Sequence, residues 1–97
     1  MEGEILLKTA DALVRILSLD PGQATPWHRH TEVDDQMVSL EGVISVEMRD
    51  PDEAVRVHVG KSTKVANQRR HRVVNRGATV ARYLLIQGPG RYDFNED

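Results

Sequence analysis

Four histidines occur in this 97-residue chain, and two of them stand two apart in Trp27-His28-Arg29-His30. On a β-strand that spacing points both imidazoles to one side, so two ring nitrogens can converge on one point. Such a pair can hold a metal ion, although exposed histidines and histidines satisfied within a core are commoner than ligands. Asp35 follows after the largely polar stretch Thr31-Glu32-Val33-Asp34, long enough to turn the chain so that the next strand starts beside the pair. His71 comes much later, on a segment opening at Gly60, and reaches the same point only if the fold closes distant strands on one another. Cysteine is absent, so no disulfide or thiolate ligand is available and any metal must be held by nitrogen and oxygen.

The elements that must position these groups read as strands. Apolar stretches recur between turn-formers: Leu13 to Leu19 before Asp20-Pro21-Gly22, Gln36 to Leu40 before Glu41-Gly42, and Val43 to Met48 before Asp50-Pro51-Asp52. Val55, Val57 and Val59 alternate with Arg56 and His58, a period of two that predicts a strand with one buried side. Val73-Val74 and Val80 to Ile86 supply two more segments, split by Asn75-Arg76-Gly77, and Gly88-Pro89-Gly90 ends the last. No window has helical periodicity. With the weaker N-terminal segment, roughly eight or nine short strands are expected, a number that favours an all-β sandwich or barrel. One domain spanning residues 1–97 is expected, because a chain this short encloses a single core. The tail Tyr92 to Asp97 is expected to be solvated.

The spacing of these residues resembles that of the cupins, small β-barrels of the double-stranded β-helix, jelly-roll-like type. The first cupin motif runs Gly, five residues, His-x-His, three or four residues, Glu, six residues, Gly, and Gly22, His28, His30, Asp35 and Gly42 stand at that spacing, within about 22–42. The second motif has its Gly, His and Asn at Gly60, His71 and Asn75, within about 60–75, with Ala66 where Pro is usual and Gln68 where Gly is usual. Those two departures bear on the shape of the loop before His71. The resemblance implies a metal site of His28, His30, His71 and Asp35. Asp35 is one methylene shorter than the usual Glu, so direct ligation, orientation of a histidine and action through water all stay open. Direct ligation is preferred. Glu32 and Asp34 are weaker substitutes because they fall in the turn.

Imidazoles with one carboxylate suit one divalent ion of Fe, Mn, Ni, Zn or Cu, and the lack of an oxygen-rich cage argues against calcium. Three or four protein ligands leave positions for water, oxygen or substrate. If Asp35 faces the lumen, alternation puts Met37 and Ser39 inside with it, Met37 chiefly as core filling. Arg82 and Tyr83 lie on a late strand that in cupins passes near the pocket; one could face inward, although an outward Arg82 is the default. Trp27 should point away from the metal and pack between strands or subunits. Arg69, Arg70 and Arg72 read as a solvated loop with salt bridges in preference to an anion guide, and His58 is assigned no role.

A formal charge of -2 gives no electrostatic reason to expect nucleic acid or an anionic membrane as partner. With Glu2 and Glu4 near the start and an apolar run only from Ile5 to Leu7, no signal or spanning segment is expected, and the chain reads as cytoplasmic. The resemblance implies a metal-dependent reaction on a small organic molecule: oxygen activation, isomerisation, decarboxylation or lyase chemistry. A module that holds metal or ligand without turnover is the alternative. No helix-turn-helix pattern accompanies the barrel, which counts against a self-contained regulator. A homodimer is expected, because small barrels protect exposed edge strands by pairing.

Overall fold

Alternation decides the inward faces. In Leu13–Leu19, Leu13, Leu17 and Leu19 are buried, and in Ala81–Gln87 every second residue from Ala81 onward is buried. A computed structural model describes residues 2–97 and places ten strands among them. These are β1 (Glu2–Lys8), β2 (Leu13–Leu19), β3 (His28–Arg29), β4 (Asp35–Glu41), β5 (Ile44–Met48), β6 (Glu53–Val57), β7 (Ser62–Val65), β8 (His71–Val74), β9 (Ala81–Gln87) and β10 (Asn95–Glu96). Among the described residues no helix is long and apolar enough to cross a membrane.

The strands form two five-stranded antiparallel sheets, β1-β2-β9-β4-β7 and β10-β3-β8-β5-β6. The chain changes sheet at every connection except β1 to β2 and β5 to β6, the winding of a double-stranded β-helix. The two sheets are hydrogen-bonded separately, so the expected barrel is one in outline, made of two facing sheets. Leu17, Met37, Ile44, Val46, Val73 and Tyr83 pack between them. Burying one such large side chain contributes about 1.5–3 kcal/mol, which makes this layer the main support of the site at its rim.

Glycine is required where the chain leaves β4 for the other sheet. Gly42 has φ +68°, and a Cβ there would lie 2.9 Å from the Val80 carbonyl oxygen. The loop before His71 keeps a left-handed residue although it lacks the usual glycine: Gln68 takes φ 71°. Its amide donates to the His30 carbonyl at 2.7 Å and its side chain to the Thr31 carbonyl at 3.1 Å, which holds that strained loop against the His30 segment.

Two expectations are corrected, for Val59 and for the tail, and one strand went unread. Val59 is 59 % exposed, because β6 ends at Val57 and the chain then turns toward the other sheet. Ser62–Val65 forms β7, although only Val65 is buried there and the alternation is too polar to read. The tail is not simply solvated: β10 pairs with β3, Asn95 opposite Arg29 and Glu96 opposite His28.

The outer face of the second sheet is held by charge. Trp27 points outward, with the Arg49 guanidinium 3.9 Å and that of Arg72 4.8 Å from its ring centroid. Glu47 accepts from Arg72 at 2.9 Å and Arg76 at 2.7 Å. The Arg76 hydrogen bond above all, with Arg72, holds the Glu47 carboxyl down to about 2 against 4.5 ordinarily. A depressed acid stabilises the fold above its unfolded pKa and loses that contribution as pH falls through its folded one. Glu47→Gln is therefore expected to lower the melting temperature at neutral pH and to show a flatter loss of stability between pH 4.5 and about 2. Thermal melts across that range check it; parallel wild-type and variant curves would contradict it.

Candidate metal centre

The site forms where the two sheets meet at one rim. His28 in β3 and His71, the first residue of β8, are direct cross-strand partners, so both imidazoles project from one face, with ring centroids 4.3 Å apart. His30 lies two residues beyond His28 and takes the same side. Asp35 opens β4 in the facing sheet, paired with Val65 on one flank and Gln87 on the other. The four side chains are at most 5 % exposed. One ligand atom from each lies within 4.8 Å of the other three.

Main-chain carbonyls orient all three rings. His28 Nδ1 lies 2.6 Å from the Pro26 oxygen, His30 Nδ1 2.6 Å from the Asp93 oxygen, and His71 Nδ1 2.8 Å from the Arg69 oxygen. A carbonyl only accepts, so each Nδ1 carries the proton and donates, which leaves a lone pair on each Nε2 when the ring is neutral. Those of His71 and His30 approach Asp35 Oδ2 at 2.8 and 3.2 Å. A lone pair that close to a carboxylate oxygen needs a cation, either a proton on the ring or a metal ion shared by both groups. An ion about 2.1 Å from each of two ligands at right angles places them about 3 Å apart, so the donor set fits a transition metal.

The electrostatics agree. Burial pushes the Asp35 carboxyl up, but its hydrogen bonds to His30 and His71 outweigh this and hold it well below the usual carboxylate range. Burial lowers His28 to about 4, so this ring stays neutral. Burial also acts to lower His30, yet the Asp35 carboxylate overcomes it and raises the ring above its ordinary value.

The remaining candidates divide. A cavity of about 80 Å³ adjoins the cluster, and Met37 and Tyr83 line it. Ser39 faces inward but not onto the cavity; its hydroxyl donates to the Gly42 carbonyl at 2.7 Å and ties the β4–β5 turn. Of the pair Arg82 and Tyr83, Arg82 is the one that stays out of the cavity, as the default reading has it. It falls on the half-buried, outward positions of β9, opposite Ser18 and Glu41, because inward positions there are the odd-numbered ones.

Glu32 and Asp34 stay outside the cluster. Glu32 accepts from the Arg91 amide, and Asp34 accepts from the main chain and side chain of Asn67 at the loop leading to His71. Arg69 pairs with Glu53, Arg70 with Asp97, and Arg72 with Glu47, as expected of a salt-bridged loop.

Five contributors escaped the sequence reading. Gln87 donates to Asp35 Oδ1 at 3.0 Å, and its own oxygen accepts from Arg15 at 2.7 Å. From the tail, Phe94 stacks on His28 with centroids 4.5 Å apart, Tyr92 lies 5.5 Å from His30, and the Asp93 carbonyl fixes the His30 ring. For Arg15 and Gln87 a signal was present: each is a polar residue on the inward phase of an otherwise apolar alternation. For the tail there was none, since its pairing with β3 is long-range and only two residues long.

Comparison with curated proteins finds no match. Among solved structures, a Klebsiella pneumoniae protein with a double-stranded β-helix domain aligns over 95% of this chain and 75% of its own, at TM-score 0.84 and 20% identity. The protein TT1209 of Thermus thermophilus aligns over 92% and 83%, at TM-score 0.83 and 26% identity. An oxalate oxidase aligns over 89% of this chain and 46% of its own, at TM-score 0.81 and 15% identity, a likeness of fold alone. The cupin domain family model matches residues 15–87, taking in all four clustered residues and both glycine-bounded motifs, and the chain belongs to the cupin family.

Proposed function

We propose that this protein is a metal-dependent small cupin acting on a small organic molecule, with one divalent transition metal ion held by Nε2 of His28, His30 and His71 and by the Asp35 carboxylate. The observation that carries this reading is the tautomer lock. Three separate main-chain carbonyls take the Nδ1 protons, so three Nε2 lone pairs and one buried carboxylate face a common point. A ring satisfied merely as core would need only one partner, and no packing demand requires all three rings to be set alike.

When bound, the ion would supply Lewis acidity or, if redox-active, oxygen chemistry. The chain's own residues do the rest. Gln87 and the histidines hold Asp35 ionised, Phe94 and Tyr92 keep water from the imidazoles, and Leu17, Met37 and Leu85 give the cavity apolar walls. A cavity of about 80 Å³ beside the cluster admits only a small ligand. Its presence favours turnover or ligand binding over a sealed structural ion.

Equilibrium dialysis of the full chain against Zn(II), Mn(II), Ni(II) and Fe(II) tests the reading. One ion per chain at micromolar concentration is expected for at least one of them, with bound ion lost as protons compete for the imidazoles at acid pH. No ion above a fraction of a mole per mole, for any of the four, would reject it.

We also propose a homodimer through the β1 edge. β1 borders its sheet and pairs only with β2, and Ile5, Leu6 and Leu7 are 59 %, 50 % and 51 % exposed on it. An apolar edge strand with free backbone groups is matched by a second copy of itself. Sedimentation equilibrium is expected to give a dimer that Leu6→Glu dissociates; a monomeric wild type at tens of micromolar would refute this.

A further inference from the structure

Among the described residues, two buried side-chain polar atoms find no hydrogen-bond partner within the protein: Arg15 Nε and Tyr83 Oη. Both residues line the cavity that adjoins the histidine cluster. Their meeting follows from register. Arg15 pairs with Leu85 and Leu17 with Tyr83 across β2 and β9, so Arg15 and Tyr83 are diagonal neighbours on the same inward face.

Arg15 is also without a counter-ion. One of its terminal nitrogens donates to Gln87 at 2.7 Å and its guanidinium lies 5.4 Å from the Tyr92 ring centroid, but no carboxylate among the described residues pairs with it. The nearby Asp35 is committed elsewhere. Its Oδ2 faces two histidines and its Oδ1 accepts from Gln87, which stands between the two charged groups. A half-buried guanidinium beside a fully buried phenol, both with unused donors, is a costly arrangement in an apolar cavity unless a ligand completes it.

We propose that Arg15 and Tyr83 form the specificity subsite of this cavity and that the small molecule it takes is a short monocarboxylate. The carboxylate accepts from the Arg15 guanidinium and the Tyr83 hydroxyl, and the aliphatic part lies on Leu17, Met37 and Leu85. Planar guanidinium matches carboxylate geometry, and the charge-assisted bond gains strength away from water. The burial of Tyr83 keeps its phenol protonated, and so a donor, at neutral pH. This inference names the substrate class for the function proposed above and rests on it, but the two can fail separately.

The test is a chemical-shift titration of the full chain, zinc-loaded and zinc-free, with butyrate and with its neutral isostere butyramide. In the zinc-loaded wild type butyrate should bind at least about tenfold more tightly than butyramide, Arg15→Met should erase that preference, and Tyr83→Phe should reduce it about threefold or more. Zinc content should stay at one per chain in both variants. Should Arg15→Met fail to fold, judged by its thermal melt, Arg15→Lys and Tyr83→Phe carry the test, and both should weaken butyrate. Equal binding of acid and amide by the wild type overturns the subsite, as does a preference for the acid that the variants leave intact, which would place the carboxylate on the metal alone. A chain that binds no zinc yet keeps an Arg15-dependent preference sustains the subsite and rejects the metal reading; zinc bound without any carboxylate preference does the reverse.

Discussion

His71→Ala is expected to strip the chain of its metal, lowering affinity by at least about a hundredfold, because even removal of a group behind a ligand costs about 10–100-fold. His71 carries this effect for two reasons. Its Nε2 makes the closest approach to Asp35, at 2.8 Å, and it is the only one of the four supplied by β8, so no neighbour on that strand can replace it. The variant also leaves Asp35 Oδ2 without its nearest partner, which should cost the metal-free fold about 1–3 kcal/mol. Elemental analysis after dialysis checks the first effect and thermal melting of the metal-free protein the second. His58→Ala is the control: His58 is exposed and lies outside the cluster, and its removal should change neither. Undiminished metal in His71→Ala would refute the proposed centre.

Asn75→Ala should have the largest effect on stability. The Asn75 side chain is 1 % exposed and makes three hydrogen bonds: it donates to the Leu19 carbonyl at 2.9 Å and the Thr79 carbonyl at 2.8 Å, and accepts from the Gly77 amide at 3.0 Å. Its main-chain carbonyl accepts from Gly22 at 2.8 Å. The residue that ends the second motif is thus bonded to the one that begins the first, and the two motifs are halves of one clasp joining β2, β8 and β9. Alanine abandons the buried Leu19 carbonyl and the partly buried Thr79 carbonyl and Gly77 amide, a loss of about 3 kcal/mol, which for a domain of this size lowers the melting temperature by roughly 12–24 °C. Metal bound per folded chain should be unchanged, since no ligand contacts Asn75. A fall of less than about 4 °C would mean that water or a shift of the turn replaces the clasp.

Legibility in the sequence followed the range of the interaction. The strands at Leu13–Leu19 and Val80 to Ile86 were readable as apolar stretches between turn-formers, and β6 because one-sided burial writes a period of two into adjacent residues. The His28 and His30 pair was readable for the same reason. Val59 continued the pattern past the end of its strand, because a period cannot mark where a turn to the other sheet intervenes. Arg82 and Tyr83 could not be told apart until their phase on β9 was known; one residue's difference in register sends a side chain to the cavity or to the outer face.

By itself the sequence determined that the chain is all-β and that any metal would be held by nitrogen and oxygen, because these follow from composition and local patterning, while the set His28, His30, His71 and Asp35 came from the resemblance of their spacing to the cupin motifs. Tertiary structure alone decided that His71 stands opposite His28 and that Gln87 links Asp35 to Arg15. It also decided that the last residues of the chain cap the site with Tyr92 and Phe94. Each of these contacts joins segments tens of residues apart. Their register is set by the packing of two sheets against each other, and no local pattern along the chain records it.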